Sequence, residues 1–386
     1  MSAIRRSGDL SCFGTTSEIS VTRGLAEFHA RRPVQMTAPG ESILALPVDG
    51  LDTVRLAGFR SLCAPAIPRL VITAQRARAL GIDTQGSVDL PLDAKLEAQA
   101  ILSLVSNAAA TCKLPVRQSG DAAQAAIKLA KMSQALPTVL VANFGPTRRE
   151  LDSIVKLEAE MIDHFSQDLL RSLTIASKAS VPLNSGSRAD FIVFRDAIGG
   201  TSTAIVIGKP DLSKPVLVRL HSACLTGDVF GSRRCDCGDQ LQLAVKHLQD
   251  AGAGIILYLA QEGRGVGLAN KMRAYQMQDD GLDTIDANTS LGFEDDERDY
   301  GIAGRMLQLL GCGNVVLLTN NPAKLQGLAD AGIDIAGRVA IETPINAHNL
   351  RYMTAKAARA GHRLDRLLAS LDSPLDVLAD EAPLAQ

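Results

Sequence analysis

Three cysteines, Cys224, Cys235 and Cys237, stand as C-x10-C-x-C within RLHSACLTGDVFGSRRCDCGDQ. The close pair can meet one ion from a tight turn, while Cys224 reaches it from the end of the preceding strand. Three thiolates with no evident fourth protein ligand leave one tetrahedral position open, the arrangement of a catalytic rather than a structural zinc. Three thiolates also overcompensate Zn²⁺, so a nearby cation such as Arg234 is expected to restore the acidity of a bound water. Two plainer readings compete. One is a structural site completed by His221 or another ligand not evident in the motif; the other is a reduced core in which Cys acts as a small hydrophobe. The polar neighbours Arg233, Arg234, Asp236 and Asp239 speak against an apolar core. His221 alone suits a ligand, a substrate contact or a strand-end residue.

Two further segments could handle an anion. Gln261–Gly267, QEGRGVG, follows a strand and precedes a helix, so bare backbone N–H groups and a positive helix end can face phosphate, with Arg264 adding a fork of donors. It matches neither a P-loop nor a dinucleotide fingerprint, and such a turn can equally be only a tight turn. Leu318–Lys324, LTNNPAK, puts cap residues, a first-turn proline and a lysine after a strand, where open α/β sheets bind ligands, although a well-capped helix needs none. The acidic run Glu294–Asp299 reads by itself as a solvated face or first-turn bias, and Tyr275 as a packing residue.

These groups need a frame. Beyond Asp190, strands near 190–195, 203–208, 215–221, 254–260 and 315–319 alternate with helices near 238–251, 268–280 and 297–311, one from Pro322 and a last one after Ala347. Upstream, apolar runs at 43–48, 69–73 and 138–144 alternate with Ala-rich helical stretches at about 93–112 and 120–135, and 149–175 reads as a connecting helix. The class is α/β, mixed α+β. The expected division is a flexible start (1–20), an accessory α/β domain (21–170), a catalytic domain (171–368) and a loose tail (369–386).

Composition bounds the rest. Forty Lys+Arg against 42 Asp+Glu give a formal charge of −2, so no global field recruits nucleic acid or anionic membrane. Aromatics are 3% with no Trp, which disfavours base-stacking platforms. No apolar run reaches the roughly 18–20 residues that cross a bilayer, and the N-terminus lacks an export signal. A cytoplasmic address, without membrane or nucleic-acid partner, is expected. Seven cysteines, an odd number, fit metal or thiol chemistry better than a disulfide framework.

RLHSACLTGD…RCDCG, QEGRGVGLANK, LDTIDAN…LGF…DERDY and LLTNNPAK, in that order and spacing, resemble GTP cyclohydrolase II over roughly residues 175–365. The resemblance implies an enzyme that opens the imidazole ring of GTP, releases C8 as formate and loses pyrophosphate, giving a diaminopyrimidine ribosylamino phosphate for riboflavin synthesis. It implies one Zn²⁺ per chain on Cys224, Cys235 and Cys237, with Mg²⁺ carried by the triphosphate. Arg298 is implied as nucleophile at the α-phosphate with Asp296 as proton acceptor, Tyr275 assists ring opening, and Gln240 contacts the purine. Arg219, Leu220, His221, Ser222, Ala223, Glu262, Gly263, Arg264, Thr284, Thr319 and Lys324 are implied to bind GTP. A second copy of the chain is the expected partner. The family's H-S-E-C reads H-S-A-C here, so Ala223 removes a carboxylate beside the first zinc ligand. Alternatives are a diverged paralogue in pyrimidine (uracil) catabolism and a non-catalytic GTP-binding zinc protein. The N-terminal half resembles a degenerate dihydroxybutanone phosphate synthase domain through ARRPV and RLVITAQRARALGI. That family's acidic metal loop is missing, and TAPGES stands at Thr37–Ser42, so no activity carries over and a scaffold or dimerisation domain is expected there.

Overall fold

Thr15 starts the first helix with a reciprocal cap: its hydroxyl accepts from Glu18 N at 3.1 Å while Glu18 accepts from Thr15 N at 2.6 Å. Helix α1, Thr16–His29, therefore begins inside the stretch read as a flexible start. The computed structural model describes residues 14–144, 153–346, 349–350 and 353–354. The tail at 369–386 and most of the helix expected after Ala347 lie outside them. The chain divides into two units, Met1–Arg171 with Ser290–Phe293, and Ser172–Thr289 with Glu294–Gln386.

The first unit carries strands β1 (Val34–Ala38), β2 (Glu41–Pro47), β3 (Arg69–Ile72), β4 (Val88–Pro91), β5 (Arg117–Gln118), β6 (Thr138–Asn143) and β7 (Lys156–Glu158). They form one sheet in the order β5-β4-β3-β6-β2-β1-β7, antiparallel except where β7 joins β1. Helices α2 (Thr53–Cys63), α3 (Ala74–Ala79), α4 (Ala98–Ser106), α5 (Asp121–Met132) and α6 (Ala159–Ser172) complete it. The connecting helix expected over 149–175 is thus a strand followed by a shorter helix, because Leu157 is drawn into the core beside Val21, Phe28 and Phe165; residues 149–152 lie outside the described part. Ala122, Ala125, Ala126 and Ala130 line the buried face of α5, and their small side chains let it lie close against Val34, Met36 and Val139. Arg76, fully buried, donates to the carbonyls of Leu104, Asn107 and Ser290 at 2.7–2.8 Å.

The second unit holds β8 (Thr174–Pro182), β9 (Arg188–Arg195), β10 (Thr201–Ile207), β11 (Val216–Ser222), β12 (Gly254–Leu259), β13 (Asn314–Leu318) and β14 (Asp334–Val339), ordered β14-β13-β11-β12-β10-β9-β8. The first four in that order run parallel, and the remaining pairings are antiparallel. Its helices are α7 (Cys237–Asp250), α8 (Leu268–Asp279), α9 (Thr284–Ser290), α10 (Gly301–Leu309) and α11 (Pro322–Asp330). Along β12 the side chains alternate: Ile255, Leu257 and Leu259 pack with Met306, Leu307 and Leu328 of α10 and α11, whereas Ile256 packs with Ala244 and Leu248 of α7. Helices thus cover both faces. The parallel strands β11, β12 and β13 finish at one edge, at Ser222, Leu259 and Leu318, where such sheets bind ligands. Among the described residues no helix is long and apolar enough to cross a membrane.

Candidate active site and metal centre

At that edge β11 delivers Cys224, while Cys235 precedes α7 and Cys237 begins it. Their sulfurs all lie within 4.8 Å of one another, with Cys224 and Cys235 3.7 Å apart. Tetrahedral zinc with bonds of about 2.3 Å requires sulfurs about 3.8 Å apart, so the spacing fits that ion. His221 is outside this cluster. The space around the sulfurs is set by glycine: a Cβ on Gly227 would stand 3.0 Å from Cys235 Sγ and 3.1 Å from Cys224 Sγ. A Cβ on Gly238 would collide with the Gly227 carbonyl. Despite their polar neighbours, Cys224 and Cys235 are buried, and Asp236 between the close pair is fully so. Hydrogen bonds from Cys235 and Cys237, then from Lys271, draw the Cys224 thiol far below its ordinary value. The same bonds to Cys224 push Cys235 and Cys237 up.

The cation beside the sulfurs differs from the one expected. Arg234 pairs with Asp279 at 2.8 Å and lies 4.6 Å over the Tyr275 ring. Lys271 of α8 instead reaches Cys224 Sγ at 3.1 Å. His221 is held by Asp228, its Nε2 at 3.0 Å from the carboxylate, and stacks on Tyr258. Asp228 also accepts from Cys224 N and Tyr258 OH, each at 2.9 Å. Burial lowers the pKa of His221 more than Asp228 raises it, so the imidazole is neutral near pH 7, and its Nδ1 has no protein partner.

The cluster lines one wall of a cleft that opens at the strand ends. Arg219, His221, Ser222, Ala223, Gln240, Glu262, Gly263, Arg264, Tyr275, Arg298, Thr319 and Lys324, all expected from sequence, line it. Leu220 does not: its side chain belongs to the core, and only its carbonyl serves the edge, accepting from Lys324 Nζ at 2.7 Å. The side chain of Thr284, at the start of α9, lies outside the described residues. Arg219 is itself buried, donating to Leu318 O and to Gln240 at 2.5 Å, and burial lowers its pKa to about 10. Gln240 in turn donates to Asp236 at 2.5 Å. Lys271, Asn288 and Asn320 line the cleft too but were not singled out from sequence. Lys271 and Asn288 fall within QEGRGVGLANK and LDTIDAN, where no spacing rule marks them.

The acidic run is a loop. Helix α10 begins at Gly301 rather than near 297, since Asp299 accepts from Gly301 N at 2.7 Å and the residues before it turn toward the glycine segment. Gly263, Arg264 and Gly265 all take left-handed angles (φ 63°, 63° and 93°). In that shape Glu297 N donates to Arg264 O at 3.0 Å and Arg264 Nη1 donates to Asp295 O at 3.1 Å. A Cβ on Gly265 would lie 2.7 Å from Glu297 O. Asp296 holds Arg298 by a fork, 2.7 Å to Nε and 2.5 Å to Nη2. Burial raises the Asp296 carboxyl, yet Arg298 outweighs it and the net pKa lies below the ordinary value. Burial keeps the Tyr275 phenol protonated, shifting its pKa up.

A family model described as GTP cyclohydrolase II matches residues 174–340. GTP cyclohydrolase-2 of Azospirillum brasilense is 40% identical over 320 residues, 77% of this chain and 81% of its own. GTP cyclohydrolase-2 of Xylella fastidiosa (strain Temecula1) is 37% identical over 366 residues, 92% and 89%, so the likeness extends into the first unit. Riboflavin biosynthesis protein RibBA of Cytophaga hutchinsonii is 46% identical over 185 residues, 48% of this chain and 45% of its own. On these relatives and the residues above, the chain belongs to the GTP cyclohydrolase II family.

Proposed function

We propose that this chain is a GTP cyclohydrolase II of riboflavin synthesis, opening the imidazole ring of GTP hydrolytically with release of formate and pyrophosphate. The observation that carries the reading is the union, in one cleft, of a three-sulfur metal cradle with the guanidinium of Arg298, which Asp296 holds from outside the lining. One end suits the base and the other the phosphates. Zn²⁺ on Cys224, Cys235 and Cys237 would supply a Lewis acid that makes a nucleophile of water at neutral pH. Mg²⁺ would arrive with the triphosphate, since it keeps several waters and needs few protein ligands.

The chain's own groups do the rest. With its oxygen taken by Arg219 and one N–H given to Asp236, Gln240 is locked and offers its second N–H to the purine. The protonated phenol of Tyr275 donates to the nitrogen released as the ring opens. Arg298 faces the α-phosphate as a guanidinium; to act there as nucleophile it must give a proton to Asp296, its bidentate partner. Lys324 and Arg264 add positive charge at the strand edge. The first unit is accessory in this reading: within Thr37–Ser42 the only carboxylate is Glu41, which accepts from Ala122 N at the start of α5.

Purified protein incubated with GTP and Mg²⁺ should yield formate, pyrophosphate and the pyrimidine in equal amounts. Cys235→Ser should abolish formate release, and Arg298→Ala should block pyrophosphate release. Consumption of GTP without formate would overturn the reading in favour of a diverged paralogue, and normal formate output from metal-free Cys235→Ser would defeat the zinc assignment.

A further inference from the structure

Lys271 is 9% exposed and its ammonium meets three acceptors: Glu262 Oε1 at 2.7 Å, Thr226 Oγ1 at 3.0 Å and Cys224 Sγ at 3.1 Å. Three donors thus meet three acceptors, and the group is fixed. The glycine segment makes this possible, because a Cβ on Gly263 would stand 3.0 Å from Lys271 Cβ and obstruct its stem. Glu262 closes the bracket by accepting Leu225 N at 2.6 Å with its other oxygen, tying the lysine to the residue after Cys224.

Three thiolates and a dication leave a cluster of charge −1, and sulfur donation weakens the ion as an acceptor for a fourth ligand. An ammonium hydrogen-bonded to one sulfur draws electron density off that lone pair. Resting on the metal reading above, we propose that Lys271 is a positioning residue for the metal centre: it orients Cys224, offsets the cluster's excess charge and raises the Lewis acidity of the bound ion. Glu262 sets how strongly it does so, since the carboxylate competes with the sulfur for the same ammonium.

The test uses the full-length, nucleotide-free protein loaded with Co²⁺, read by its near-ultraviolet sulfur-to-cobalt charge-transfer band. Lys271→Met removes the donor, raises the sulfur lone pair in energy and should move the band to longer wavelength, with Lys271→Arg partly restoring it. Glu262→Gln frees the ammonium for the sulfur and should move the band the opposite way, a pair of signs that loss of packing does not produce. Zinc held against a chelator should weaken about 10- to 100-fold in Lys271→Met. An unchanged band in both Lys271→Met and Glu262→Gln overturns the inference while leaving the metal reading intact. A wild-type protein that takes up cobalt without a thiolate band overturns both. Should Lys271→Met fail to fold, Lys271→Arg and Glu262→Gln still decide by the direction of their shifts.

Discussion

Gly227→Ala isolates the sulfur cradle from every other feature of the site. The backbone of Gly227 lies outside the left-handed region, so an alanine there brings no conformational strain and only its methyl group matters. That methyl would stand 3.0 Å and 3.1 Å from two sulfurs, where atoms of this size rest at about 3.5–4.0 Å. Each sulfur must retreat by a few tenths of an ångström. Free thiols can rotate away, but sulfurs bound to one ion are pinned about 3.8 Å apart, so the clash falls on the metal-loaded form. A third contact, 3.1 Å from Cys237 Cβ, acts in both forms and sets the baseline. Overpacking of this kind costs about 1–3 kcal/mol, a weakening of zinc affinity by roughly 5- to 150-fold. Chelator competition measures it directly. Thermal unfolding with and without chelator gives the same quantity as a smaller zinc-dependent stabilisation. Wild-type zinc affinity in Gly227→Ala, or an equal loss of stability with the metal stripped, would refute the reasoning.

Gly265→Ala meets both a left-handed angle and the Glu297 carbonyl, so about 1–3 kcal/mol of strain should displace Arg298; pyrophosphate release should fall while zinc content stays normal. Asp296 has a folded pKa below its ordinary 3.8, so its ion pair stabilises the fold above about pH 4 and that contribution is lost as pH falls through the folded value. Asp296→Asn should therefore cost stability at pH 7, and its gap from wild type in urea titrations should narrow as pH falls below the ordinary carboxylate value toward the folded one; a gap that stays constant through acid pH counts against the pair. Arg76→Met strands three carbonyls in the first unit and should cost at least about 3 kcal/mol by urea unfolding, whereas a change under about 1 kcal/mol would show that water replaces the guanidinium.

Much of the second unit was legible in its sequence, because the alternation along β9 to β13 and the capped start of α11 are local signals. The cysteine trio was legible for the same reason, its ligands falling within one strand, one turn and one helix start. Other features depend on partners distant in the chain. Lys271 reads as an ordinary helix lysine until Gly263 lets its stem through to Cys224, and Arg234 has the right charge but spends it on Asp279. The acidic run 294–299 has the composition of a helix start, yet the left-handed turn at Gly263–Gly265 captures its backbone first. Strand β7 was hidden in a helical pattern because the pull on Leu157 comes from β1 and α1.

Among the described residues strand β8 lies at the rim of its sheet, bonded along one side to β9, with all nine of its residues exposed. An open ladder of that length is a template on which another extended chain can grow, and Ile175 and Val181 offer it apolar teeth. The register shift between Ile175 and Ser177, the charge of Lys178 beside Asp190 at 2.9 Å and the missing N–H of Pro182 each interrupt such growth. The rim thus carries several of the devices by which sheet edges resist pairing with another chain, and the Lys178 charge is one of them.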